Sequence, residues 1–176
     1  MCEVMGKKNI DFKYIEEMIR SKTYGMISTI DQHGNPHSTS IIYAVSSPES
    51  KFCLYCVSSQ KYRKVKNIQS NENVAFVIPF PHHVMRFVPA SAVQFQGKAK
   101  IIPIDDSEAR KSFLTSKILK FNLERTSELL ESAFIKIIPN QKLFIYGLGY
   151  GMMEMRKNHV KGNYSIMIPT ERFLQI

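Results

Sequence analysis

The 176-residue chain has no apolar run approaching the ~20 residues that a membrane-spanning helix needs. Its first residues, Met-Cys-Glu-Val-Met-Gly-Lys-Lys, lack the apolar stretch of a signal peptide, so a cytoplasmic location is expected and no membrane partner. Cysteine is scarce: Cys2, Cys53 and Cys56. An odd count with no secretion signal argues against a disulfide framework. Acidic residues are few, 15 against 24 lysines and arginines, which leaves a net charge of +9. There is no internal repeat, low-complexity tract or interdomain linker, so residues 1–176 read as a single domain. With 44% hydrophobic and 22% charged residues, the composition suits a globular fold with a real core.

The apolar pattern begins with a helix over residues 10–22, where Phe12, Ile15, Met18 and Ile19 share a face and Asp11 caps the start. The period then shortens. Residues 24–30 and 37–45 read as strands joined by the turn Asp31-Gln32-His33-Gly34-Asn35-Pro36, a hairpin. Strands follow at 51–58, 74–78 and 91–102, the last with a bulge or bend expected at Gly97. A basic helix is expected over 60–69. An amphipathic helix over 105–120, with Asp105 and Asp106 at its positive end, and a second helical stretch at 124–132 come next. Residues 133–138 and 142–146 read as the last clear strands, hinged at Pro139-Asn140. The extension 147–176 is rich in glycine and methionine and gives no clear period. Many short strands with few helices indicate a mainly β fold, a small antiparallel barrel with flanking helices.

Cys53-Leu54-Tyr55-Cys56 has CxxC spacing, yet it lies in a strand. Positions three apart in a strand point to opposite faces, so the thiols should diverge and form neither a redox pair nor half of a zinc site.

The strongest chemical signal is a constellation. The turn at Gly34-Asn35-Pro36-His37 leads into Ser38-Thr39-Ser40. The next strand ends in Val57-Ser58-Ser59, and Lys61, Tyr62, Arg63, Lys64 and Lys66 follow at once. Short hydroxyl side chains donate hydrogen bonds without blocking a ligand. A helix start adds free backbone N–H groups and partial positive charge. Arg63 and Lys64 add full charges. Together these suit a phosphate dianion, with apolar strand surface beside it for a flat ring.

Five stretches in order, Gly25 to Asp31, Gly34 to Ser40, Arg63 to Ile68, Asn73 to Val77 and Val93 to Ala99, resemble the split-barrel flavin-binding family related to pyridoxamine 5′-phosphate oxidase. Ile135-Lys136-Ile137-Ile138-Pro139 resembles that family's closing strand. The resemblance implies a six-stranded antiparallel Greek-key split barrel that forms a homodimer. It implies FMN, or in some branches a deazaflavin, in a groove at the dimer interface. Carried over by position, Arg63 and Lys64 hold the FMN phosphate. Ser58 faces it, flanked by Val57 and Ser59, and Thr39, Ser40 and Ile41 line the flavin ring. Gln94 lies close to a family glutamine position. Tyr62 departs from the serine usual before the Arg-Lys pair. The implied activity is a flavin-dependent oxidoreductase on an unidentified small substrate, with no dedicated acid or base identified. Oxidation of pyridoxamine phosphate itself is not implied, because its substrate-binding arginine and histidine have no counterpart in Ile166 to Ile176.

A flavin-storing or flavin-sensing protein would bind without turnover. The positive charge is too scattered for a nucleic-acid partner to be expected. His82-His83 reads as a loop bordering the groove rather than a metal site. Tyr146-Gly147-Leu148-Gly149-Tyr150-Gly151 lacks the spacing of a phosphate loop. Met152, Met153 and Met155 read as packing residues.

Overall fold

The computed structural model describes residues 10–81, 91–127, 131–150 and 159–175. His82, His83, Gly151, Met152, Met153 and Met155 lie outside them. Helix α1 (Phe12–Arg20) opens the chain. It is followed by β1 (Tyr24–Ile30), β2 (Pro36–Val45), β3 (Leu54–Ser59), α2 (Arg63–Ser70), β4 (Asn73–Phe80) and β5 (Ser91–Ile102). Helices α3 (Ser107–Phe113) and α4 (Lys117–Ser127) precede β6 (Ser132–Pro139) and β7 (Lys142–Tyr146). A single 3-10 turn (His159–Gly162) leads into β8 (Asn163–Met167). Every strand pairing is antiparallel. No helix among the described residues is long and apolar enough to cross a membrane.

Strands β1, β2 and β3 form a meander, and β4 returns to lie beside β1, which is a Greek key. Strand β6 then sits between β3 and β5, while β5 also pairs with β4, so six strands close on themselves as expected. Strands β7 and β8 continue the sheet outward from β5. The long β5 serves both walls: Ser91 to Lys98 pair with β4, and Gly97 to Ile102 pair with β6.

Gly97 sits where those pairings overlap. The register runs through it without an extra residue, so there is no bulge. A Cβ there would stand 2.2 Å from the Ile138 carbonyl oxygen, so the glycine serves the close approach of two backbones. Gly34, at φ +83°, turns the β1–β2 hairpin in the left-handed region that glycine adopts without strain.

Strand alternation sorts the core into two layers. Ile27, Ile41, Tyr43, Leu54, Cys56, Phe76, Phe95, Ile135 and Ile137 fill the barrel with Phe12, Ile15 and Ile19 of α1. Ala44, Cys53, Tyr55, Val57, Phe134 and Ile138 face outward, where Ala109, Phe113, Leu119 and Leu123 of α3 and α4 cover them. Cys53 and Cys56 therefore belong to different layers, both free and buried. Burial pushes both thiols up.

Helix α1 matches its expected face and cap: Asp11 Oδ1 accepts the Tyr14 amide at 2.9 Å. The helix expected over 105–120 is instead two. Thr115 Oγ1 donates to the Ser112 carbonyl at the end of α3, and Ser116 Oγ accepts the Leu119 amide at 3.2 Å at the start of α4. Local hydroxyl bonds of this kind end one helix and begin another. Helix α4 runs to Ser127, and Ser132, expected to be helical, begins β6. Strand β8 emerges from the terminal extension that showed no period.

Candidate functional site

Strands β2 and β3 are paired only at Tyr43↔Cys56, Ala44↔Tyr55 and Val45↔Leu54. Beyond that point each keeps its other neighbour. β2 stays on β1 through Ile30↔Pro36, and β3 stays on β6 through Ser59↔Ser132. The two strands thus part from each other, leaving facing edges without a strand partner among the described residues. This is the split in the barrel. Thr39, Ser40 and Ile41 lie on one side of it, and Val57, Ser58 and Ser59 on the other.

Three residues, 60–62, separate the end of β3 from the start of α2. Its Val65 and Ile68 enter the barrel core. Buried Asn67 donates from Nδ2 to Thr29 Oγ1 at 3.0 Å, and Thr29 Oγ1 donates to the His37 carbonyl at 3.2 Å. These bonds fix the helix against the hairpin beside the split. Tyr62 holds the N-cap position without a side-chain capping bond. The Val65 and Lys66 amides donate to its carbonyl at 3.0 and 3.3 Å, so the helix leaves the Arg63 and Lys64 amides unused. A serine at 62 would compete for those donors; the Tyr62 ring instead lies 5.2 Å from Lys64 Nζ.

Arg63 is exposed and pairs through Nη2 with Asp31 Oδ2 at 3.0 Å. Asp31 is the hub of the hairpin turn. Its Oδ1 accepts the His33 and Asn35 amides, each at 2.9 Å. These hydrogen bonds, the Asn35 amide foremost, hold its carboxyl down at about 2. Among the described residues one guanidinium nitrogen is engaged, and the fork keeps further donors. Lys64 is half-buried, and burial lowers its pKa although the neighbouring Cys56 opposes the shift.

The residues singled out in the sequence divide by face. Thr39, Ile41 and Ser58 have the inward parity of Tyr43 and Cys56. Ser40 points outward and is exposed. Val57 and Ser59 point outward on β3; Val57 is held in the layer under α4, so toward the split it offers backbone. The Ser59 hydroxyl accepts the Lys61 amide at 3.3 Å. Ser58 is buried, with only a long 3.5 Å contact to the Ser59 carbonyl.

Gln94 does not join them. It is exposed on the outer face of β5, across the barrel from β2, in register with Val77 and Phe144. There it borders a shallow cavity of about 280 Å³ with Phe144, Asn163 and Tyr164.

Two further residues stand at the opening: Asp31, which has no role assigned from sequence, and His37, which the turn there includes. Asp31 positions Arg63, a contact across 32 positions that no local motif announces. His37 has a buried Nδ1 with no hydrogen-bond partner among the described residues. No cluster of three histidine, cysteine or acidic side chains among the described residues is placed to hold a metal.

A family model described as pyridoxamine 5′-phosphate oxidase matches residues 13–143. The 5a,11a-dehydrotetracycline/5a,11a-dehydrooxytetracycline reductase of Streptomyces rimosus subsp. rimosus is 27% identical over 93 residues, 52% of this chain. The match spans 64% of that reductase's length. Among solved structures, the heme storage protein HutZ from Vibrio cholerae superposes with a TM-score of 0.62 at 17% identity, covering 80% of this chain and 100% of that one. An FAD-binding protein from Mesorhizobium loti superposes with a TM-score of 0.56 at 15% identity, covering 76% and 90%. At such identities the two structures speak for the fold. The family match takes in the whole barrel up to the start of β7: this chain belongs to the pyridoxamine 5′-phosphate oxidase family.

Proposed function

We propose that this protein binds FMN in the split between β2 and β3 and acts as a flavin-dependent oxidoreductase on a small molecule, working as a homodimer. The observation that supports this most is the convergence at one opening of three things a phosphorylated flat ring requires. These are a cationic helix start with unused amides, small hydroxyls, and unpaired strand edges beside apolar barrel wall. The reductase among its sequence relatives favours turnover over storage.

Bound FMN supplies hydride or electron transfer. The chain's own residues bind and orient. Lys64 and the Arg63 and Lys64 amides hold the phosphate at the start of α2, where the helix dipole favours an anion. Arg63 adds a second charge and is kept in place by Asp31. Ser58 Oγ turns from its weak backbone contact to the same anion. Thr39, Ser40 and Ile41 would line the ring, the first two with backbone and hydroxyl groups and Ile41 with apolar surface. Gln94 serves the site of a second copy, since its own β5 faces away from its own split. Solvent reaches exposed Ser40 and supplies the proton, so no side chain is assigned as acid or base.

The visible absorption spectrum of the purified protein, before and after denaturation, with the released chromophore identified by mass, tests this reading. Released FMN is the expected result. A heme spectrum or a released deazaflavin contradicts the FMN assignment. A colourless protein that takes up no FMN on titration contradicts the site as well.

A further inference from the structure

Helix α4 carries apolar side chains on two opposed faces. Leu119 and Leu123 are 5% and 3% exposed and belong to the outer core layer with Tyr55, Val57 and Phe134. Ile118 and Phe121 are 65% and 61% exposed, and Leu114, just after α3, is 58% exposed. At 100° per residue, Ile118 and Phe121 centre roughly 150° around the helix from Leu119 and Leu123. They therefore lie outside the core that holds α4. Large apolar residues exposed singly are ordinary; Ile118 and Phe121, three residues apart on α4, form a stripe, and Leu114 is exposed at the corner between α3 and α4.

The exposed surface of the same two helices is basic. Lys117, Lys120 and Arg125 are exposed on α4, and Arg110 and Lys111 on α3. Between residues 110 and 125 the one acid is Glu124, 3.8 Å from Lys120. The nearest acids of α3 point to other work: Asp106 caps the helix, and Glu108 pairs with Lys136 at 3.6 Å. A second copy meeting this face across a two-fold axis would set lysine against lysine. An anionic bilayer satisfies both features. Its headgroups attract the cations within a Debye length. Its headgroup–acyl boundary accepts Leu, Ile and Phe from a helix lying in the surface plane.

We propose that α4 and the Leu114 corner form a peripheral docking surface for an anionic lipid membrane, with Leu114, Ile118 and Phe121 entering the interface. The expectation of no membrane partner rested on the lack of a spanning run, which does not bear on a helix lying in the surface. The proposal is independent of the flavin reading.

Co-sedimentation of the full chain with vesicles of phosphatidylcholine plus phosphatidylserine, against phosphatidylcholine alone, is the test. The protein is expected in the pellet only with phosphatidylserine. The double substitution Ile118→Ser with Phe121→Ser, which keeps every charge, is expected to lower that partition by about tenfold or more. Failure to sediment overturns the proposal. Equal sedimentation of the double variant also does so, because general positive charge would then suffice. Self-association that the double variant abolishes would show that a second copy covers the stripe. Phe121→Trp provides a further readout, since the chain has no tryptophan. Its emission should shift to the blue with phosphatidylserine vesicles, and an unchanged spectrum contradicts insertion.

Discussion

Strands β2 and β3 meet at one end of the barrel and part at the other, and the two ends are built from opposite materials. At the joined end, Tyr43, Val45, Leu54 and Cys56 face the barrel core and α1 lies across them. The Tyr43 hydroxyl donates to the Ile19 carbonyl at 2.7 Å. Glu16, 8% exposed, accepts from Arg20 and, at 2.8 Å, from Arg172, while the Phe52 amide donates to the Arg172 carbonyl at 2.7 Å. The terminal segment is thereby tied to α1 and to the β2–β3 turn. At the parted end the side chains include short hydroxyls, the facing strand edges are unpaired among the described residues, and the cations Arg63 and Lys64 stand against one carboxylate, Asp31. Closure comes from apolar area and a satisfied carboxylate. The open end has donors to spare, and spare donors are what an anionic ligand uses.

If that division holds, changes at the joined end should cost folding and spare binding, and the reverse should hold at the split. Replacing Glu16 with alanine leaves Arg20 and Arg172 without their shared carboxylate. Destabilisation of about 3 kcal/mol is expected in urea unfolding. FMN affinity per folded molecule should stay unchanged; a matching loss of affinity would mean that the two ends are not separable.

Replacing Lys64 with alanine should act the other way. It removes a charge-assisted contact worth roughly 1.5–3 kcal/mol, or about 10–150-fold in FMN affinity. Unfolding should move by no more than about 1 kcal/mol. Fluorescence titration beside urea unfolding separates the two effects.

A subtler test is pH. The Asp31 carboxyl is held from 3.8 down to about 2 by bonds that tie the hairpin turn. A depressed carboxylate contributes its stabilisation above its unfolded pKa and loses it as pH falls through the folded value. The His33 and Asn35 amide signals should therefore stay native down to about pH 3 and change with a midpoint near about pH 2. A transition centred on the ordinary aspartate value would show that the turn does not hold Asp31 as described.

The smallest expected effect is at the cysteines. Cys53 and Cys56 are buried in separate layers, so an aromatic disulfide reagent should react with neither while the protein is folded and with both once it is unfolded. An internal disulfide under mild oxidation would overturn their placement on opposite faces.

Much of this architecture was legible from local pattern. The alternation around Cys53 and Cys56 foretold their divergence, and Asp11 announced the start of α1. The turn from Asp31 to Pro36 marked the hairpin. Positions that depend on distant partners were not legible. Thr115 and Ser116 fit a continuous amphipathic helix as well as a break, and only their hydroxyl bonds decide between the two. The sequence around residues 42 and 57 does not reveal that β2 and β3 part there, because pairing is a property of two segments. The same limit explains Asp31 with Arg63, and β8, whose partner β7 stabilises a stretch with little pattern of its own. Gln94 shows the same limit: nearness to a family motif does not say which wall of the barrel a side chain leaves, and here it leaves β5, away from its own split.

The most direct measurement is a parallel titration with FMN and with riboflavin, which differ by the phosphate. If the start of α2 is the phosphate site, FMN binds at least about tenfold more tightly than riboflavin, and Lys64→Ala erases most of that preference. Equal affinity for the two, or a preference that survives in Lys64→Ala and in Arg63→Ala alike, would contradict the site.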